Sequence, residues 1–215
     1  MRIIITILLV LHILSCSGQA FTFVFLNSKP DKKELPKEEI DKIMKGHMDN
    51  INRLAKEGKL IVAGPFEGGG GIFILNTTSI DEAKQWLNTD PGIQANRWNV
   101  ELHPYTPQTG GVCAVGEPYE MVTYHFIRFT PQVTKVTTGN YPEILKRHDD
   151  YIKNQFSATG NVIAEGTFGD HEGGILILKG ELQKEIIEAD PGVQEALLQF
   201  DIKKLWVAKG AFCEK

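Results

Sequence analysis

His47, Gly58, Gly64, Ile72 and Asp90 recur as His148, Gly160, Gly166, Ile175 and Asp190, at offsets of 101, 102, 102, 103 and 100 residues. Residue types recur around them. The apolar run Leu60-Ile61-Val62-Ala63 is echoed by Val162-Ile163-Ala164, and Ile72-Phe73-Ile74-Leu75 by Ile175-Leu176-Ile177-Leu178. Asp90-Pro91-Gly92 returns as Asp190-Pro191-Gly192, and a glycine cluster (Gly68 to Gly71, then Gly173-Gly174) precedes the second apolar run each time. Agreement in order, spacing and type over that distance points to a tandem duplication of one module of about 100 residues, an ordinary domain size.

Each repeat reads as the same run of elements. Phe21 to Asn27 is bulky, β-prone and scarcely alternating, the pattern of an interior strand. Pro36, followed by Glu38 and Glu39, opens a helix, because acidic side chains suit the positive end of the helix dipole. On that helix Ile40, Ile43, Met44, His47, Ile51 and Leu54 fall three and four apart as one stripe, and Gly58 ends it. Two strands flank the glycine turn. Ser79, with Glu82 three residues on, is a capping box that opens a short helix. Trp98, Val100 and Leu102 then alternate as a last strand. In the second repeat Tyr119 to Phe129 is the first strand, Ile144, Leu145, His148, Ile152 and Phe156 are the helical stripe, and Leu198, Phe200 and Ile202 close the series.

The order β-α-β-β-α-β is the ferredoxin-like module, an α+β fold whose antiparallel sheet carries both helices on one side and leaves its other face uncovered. A second copy is the expected cover, which makes the chain an intramolecular pseudo-dimer.

The first 20 residues stand apart. Arg2 precedes a largely apolar stretch from Ile3 to Leu14, interrupted by Thr6 and His12, and small residues follow. This is the three-part pattern of an export signal, too short to span a bilayer stably. Two processing routes compete. Ile13-Leu14-Ser15-Cys16 resembles a bacterial lipobox, which would tether the protein to a membrane through lipidated Cys16, whereas Gly18-Gln19-Ala20 fits cleavage before Phe21. The expected organisation is a signal over 1–20, a first module over 21–105, a Gly- and Pro-rich linker over 106–118 and a second module over 119–210. The expected location is the bacterial periplasm or its bounding membrane. Export permits disulfides, and Cys113 and Cys213 lie 100 residues apart, at equivalent places past the last strand of each copy. They either bridge the copies or remain separate thiols; Cα separation decides, and sequence does not supply it.

A net charge of −4 with interleaved signs and no basic run argues against a nucleic-acid partner. The glycine cluster lies between strands and lacks the Lys-Ser/Thr and helix of a phosphate-binding loop. Asp149 and Asp150 beside His148 have no histidine or cysteine to complete a metal site. No serine or cysteine nucleophile motif is present, and His103, His125 and His171 have no counterpart in the other repeat.

His47 and His148 each fall on the apolar stripe of a helix. Histidine is the side chain whose charge changes near neutral pH, yet one in a stripe also serves as a core residue with a satisfied hydrogen bond. Asp90 and Asp190 are good turn chemistry before Pro-Gly. They could equally accept the imidazole N–H, fixing tautomer and orientation so that the other nitrogen moves a proton.

Taken together, His47, Gly58, Gly64-Pro65, the glycine hairpin, Ser79-x-x-Glu82-Ala83 and Asp90-Pro91 resemble the YCII-related (YciI-like) family, in two copies. The resemblance implies a ferredoxin-like fold of the dimeric α/β-barrel superfamily, with modules paired sheet to sheet. It also implies His–Asp pairs, His47 with Asp90 and His148 with Asp190, in a pocket. Glu165-Gly166-Thr167 departs from the family's Gly-Pro pattern in the second copy. Relatives include a dehalogenase of chlorinated hydroxylated aromatics and, more distantly, muconolactone isomerases. The expectation is a cofactor-free, metal-free enzyme transferring a proton on a small aromatic or enolisable substrate. The alternatives are a non-catalytic small-molecule-binding module of the cell envelope and a purely structural pseudo-dimer.

Overall fold

The computed structural model describes residues 20–132, 141–156, 159–169 and 173–213. The export signal with Cys16, and His171, lie outside them. The elements are β1 (Phe21–Ser28), α1 (Lys37–Lys56), β2 (Leu60–Pro65), β3 (Gly71–Leu75), α2 (Ile80–Leu87), α3 (Pro91–Gln94) and β4 (Trp98–Thr109), followed by β5 (Met121–Pro131), α4 (Tyr141–Phe156), β6 (Val162–Phe168), β7 (Gly174–Leu178), α5 (Lys184–Glu188), α6 (Pro191–Gln194) and β8 (Leu198–Ala208). The fold is α+β, and both halves follow one order. The short turns α3 and α6 are additions to the expected series. They arise because Asp90 and Asp190 act as N-caps in front of a proline, a residue suited to the first helical position.

The eight strands form one antiparallel sheet in the order β2-β3-β1-β4-β6-β7-β5-β8. One junction between halves is the β4–β6 ladder, from Tyr105 opposite Phe168 to Thr109 opposite Glu165. To form it, β4 runs on through Thr109, into the stretch that reads as linker. The sheet's two outer strands also meet: Phe66, just past β2, bridges Leu205 of β8, and the Glu67 N–H donates to the Lys204 carbonyl at 2.9 Å.

Strand faces explain why the apolar runs scarcely alternate. Phe21, Phe23 and Phe25 of β1 join a cluster enclosed by the sheet, whereas Val24 and Leu26 pack under the helices of the first half. Likewise Ile175 and Ile177 of β7 face the enclosed core, and Leu176 and Leu178 face the helices of the second half. A strand buried on both faces needs apolar residues at every position. Both halves supply the enclosed core: the rings of Phe23 and Phe25 lie 6.2 and 6.0 Å from that of Phe126, and Phe66 lies 5.1 Å from it. At its rim Arg128 of β5 donates to Glu101 of β4 at 2.7 Å, its guanidinium 4.0 Å above the Phe25 ring.

Cys113 and Cys213 are disulfide-bonded, with their Cα atoms 5.2 Å apart, which resolves the two readings of these thiols. The backbone prepares the bridge, since the Cys113 N–H donates to the Ala211 carbonyl at 2.9 Å beside the fully buried Phe212. Ser79 caps α2 by accepting from the Glu82 N–H, but the box is not reciprocal. The Glu82 carboxylate accepts the Thr77 hydroxyl instead, and Thr77 accepts the Ser79 N–H.

Candidate functional site

Each half brings a histidine from its long helix onto the aspartate that opens its short turn. Gly58, at φ 69°, ends α1, and its N–H donates to the Ala55 carbonyl. About two turns upstream of Leu54, His47 is buried, and its Nδ1 lies 2.8 Å from Asp90 Oδ2. His148 Nδ1 lies 2.7 Å from Asp190 Oδ2. Neither aspartate is exposed at all. Their other oxygens accept main-chain N–H groups: Asp90 Oδ1 from Gly92 at 2.8 Å and Ile93 at 3.2 Å, Asp190 Oδ1 from Gly192 at 2.8 Å and Val193 at 3.2 Å. The turn and the imidazole are therefore not rival uses of the aspartate; one oxygen serves each. A carboxylate oxygen accepts, so Nδ1 carries the hydrogen and Nε2 is left as the proton acceptor.

The surroundings diverge. In the first half the ring centroid of Trp98 lies 4.8 Å from His47, and Phe73 lies 5.9 Å away in a stacked arrangement. Trp98 also covers Gly92, where an added methyl carbon would stand 2.4 Å from the indole. Asn50 donates to Asp90 at 3.3 Å, and its own oxygen accepts from Arg53 and from the Thr89 hydroxyl. The helices close in as well, since a methyl carbon on Gly46 would stand 2.9 Å from Pro91.

In the second half Leu198 takes the place of Trp98, and a cavity of about 230 Å³ opens beside His148. Phe129, Tyr141, Leu145 and Ile152 line it, together with Asp149 and Glu165. The ring of Phe129 meets His148 edge to face at 4.8 Å. Tyr151 replaces Asn50 and turns away, donating to the Ile186 carbonyl. Arg147 replaces Gly46 and pairs with Glu195 at 2.5 Å.

Asp149 and Glu165 are the residues that matching the repeats missed. Glu165 lies opposite Leu176 as Ala63 lies opposite Phe73, and Asp149 follows His148 as Met48 follows His47. The signal was present as a difference between the halves: a carboxylate in the second where the first is apolar. Burial pushes the Glu165 carboxyl above its ordinary range, and neighbouring Asp149 adds to the rise, while the Thr109 hydroxyl bonded at 3.2 Å and His148 oppose it. Asp149 shifts the same way, again chiefly by burial. It stands at the rim with much of its surface still exposed, so the deeper Glu165 is the better guide to the cavity's character.

His103 stacks on Phe168 at 4.9 Å beside Glu101 and Arg128 and belongs to neither dyad. His125 lies 2.8 Å from Lys204. Among the described residues no three His, Cys, Asp or Glu side chains are grouped to hold a metal ion.

Three comparisons bear on this arrangement. No curated protein matches the sequence. Among solved structures, a cyanide-bound mutant of the chlorite dismutase from Candidatus Nitrospira defluvii superposes with a TM-score of 0.53 at 9% identity, covering 88% of this chain and 91% of that one. A candidate chlorite dismutase, TA0507, gives a TM-score of 0.52 at 10% identity, covering 88% and 94%. At such identities the likeness is one of fold, that of ferredoxin-like dimeric α/β-barrel proteins. Residues 21–104 match the YCII-related domain.

Proposed function

We propose that the second half is a proton-transfer site in which His148 is the base or acid and Asp190 holds it in position, acting on a small aromatic or enolisable molecule. The observation that carries this reading is the 2.7 Å His148–Asp190 contact at the wall of the 230 Å³ cavity. Asp190 fixes the ring and its tautomer from a fully buried position, so the nitrogen left over needs no reorganisation to exchange a proton. In this reading His47 and Asp90 form the same pair in a closed setting, where Trp98 and Phe73 fill the place of a substrate, and they support the fold.

The reading extends to the whole chain. The halves are tandem copies of one YCII-like module closed into an intramolecular pseudo-dimer; the shared element order, the matched spacings and the shared aromatic core support it. The protein is exported, as the Arg2 to Ala20 pattern and a disulfide suited to an oxidising compartment suggest. Mass determination of the mature amino terminus separates lipidation of Cys16 from cleavage after Ala20.

The test of the chemistry is solvent deuterium incorporation into a panel of enolisable and aromatic compounds. His148→Ala should lower exchange by 100-fold or more, in line with the roughly 10²–10⁴-fold value of acid–base catalysis, while His47→Ala leaves it within about threefold once folding is verified. Equal losses in both variants would overturn the assignment to the second half. Binding without exchange would leave a small-molecule-binding module.

A further inference from the structure

We infer that the second-half cavity selects a small apolar molecule carrying a positive charge, a primary amine, over its neutral or anionic analogues. This inference rests on the reading of that cavity as the working site. Its walls at Phe129, Leu145 and Ile152 are apolar, so they favour a ring or hydrocarbon body. Polar character comes chiefly from Glu165 and Asp149, and no Lys or Arg is among the described lining residues. The neighbouring cations are already engaged elsewhere: Lys146 pairs with Asp150 and Arg147 with Glu195, each at 2.5 Å. Among the described residues Glu165 accepts one side-chain hydrogen bond, from the uncharged Thr109 hydroxyl of the opposite half.

A half-buried carboxylate without a counter-charge costs free energy, and a cation placed beside it recovers that cost. The raised range of the Glu165 carboxyl has the same origin. An anion would meet Glu165, Asp149 and, behind the imidazole, Asp190. A metal ion fits poorly, because no grouping of three ligating side chains exists among the described residues. An organic ammonium group needs only one or two acceptors. The first half offers no such acceptor, having Ala63 and Met48 at the matching positions.

The test titrates the full chain with benzylamine, benzyl alcohol and benzoate at pH 7 by calorimetry or NMR. Benzylamine should bind about tenfold or more tighter than benzyl alcohol, and benzoate more weakly than both. Glu165→Gln should remove most of the amine's advantage and leave benzyl alcohol binding unchanged, which also shows that the variant is folded. Benzoate binding as tightly as benzylamine, an amine affinity indifferent to Glu165→Gln, or no binding by any of the three would overturn the inference. His148→Gln separates this idea from the proton-transfer reading: it should keep the amine preference while exchange is lost. Exchange that survives in wild type without the preference sinks the inference alone, and a preference without exchange sinks the catalytic reading alone.

Discussion

The two histidine–aspartate pairs are nearly superimposable in chemistry and opposite in setting. His47 and Asp90 are wrapped by Trp98, Phe73 and Asn50 with a helix pressed close at Gly46, whereas His148, with Asp190 behind it, sits at the wall of a cavity edged by Glu165 and Asp149. The contacts inside each pair differ by only 0.1 Å, at 2.8 and 2.7 Å. What separates the halves is the next ring of residues, above all an indole exchanged for a leucine. A dyad alone is therefore no measure of a working site; the space beside it is.

Four experiments put this contrast to the test. The largest effect is expected from Cys213→Ser, which cuts the bridge between positions 100 residues apart. By the chain-entropy account a loop of that size is worth up to roughly 4–5 kcal/mol. Urea unfolding should lose a large part of it, and two separated transitions would show that the halves differ in stability as well as in setting. An unchanged midpoint would mean that the bridge adds nothing to a sheet already joined at β4–β6.

Asp90→Ala and Asp190→Ala come next. Each removes a cap from two N–H groups and strips a partner from a largely buried imidazole, together about 3 kcal/mol. Asp90→Ala should be the costlier, because Asn50 also loses its acceptor there. Thermal melts that rank the two variants the other way would contradict the view of the first site as the more tightly built.

Exchanging the wall residues is more direct. Trp98→Leu should cost about 2 kcal/mol, the usual range for trimming a large core side chain, and should open room beside His47. Leu198→Trp should fill the second cavity and abolish binding of any small probe there. Probe binding that survives Leu198→Trp would show that the ligand sits elsewhere.

The smallest effect is a pH dependence. The carboxyl of Glu165 titrates above its ordinary value of 4.5 in the folded chain, chiefly because of burial. The folded state therefore holds this proton more tightly than the unfolded chain, so the residue's contribution to stability falls as pH rises through the folded value. Glu165→Gln should accordingly melt at a higher temperature than wild type at pH 7, with the gap closing below about pH 4.5. A variant less stable at pH 7 would show that the Thr109 hydrogen bond outweighs the burial cost.

Much of the fold was legible because its causes are local. Runs such as Ile72 to Leu75 announce strands covered on both faces, the stripe from Ile40 to Leu54 sets the register of α1, and the nearly equal spacing of His47 with Asp90 and His148 with Asp190, 43 and 42 residues, carries the two dyads. Features that depend on distance were less so. The Cys113–Cys213 bond needed a Cα separation that no spacing gives, and β4 continued through Thr109 because the β6 edge lay waiting for its hydrogen bonds. Glu165 and Asp149 were hidden by the same reading that matched the halves: looking for agreement between them passes over the positions where they differ. The departure at Glu165-Gly166-Thr167 was the visible trace of that difference.

The divided duty of the aspartates has a consequence for both halves. Because one oxygen fastens the backbone while the other grips the ring, a substitution of either aspartate gives up the turn's cap and the imidazole's partner together. The imidazole in turn satisfies a carboxylate that is fully buried, so each pair serves the fold whether or not it moves a proton. Neither half declares its chemistry by the pair alone.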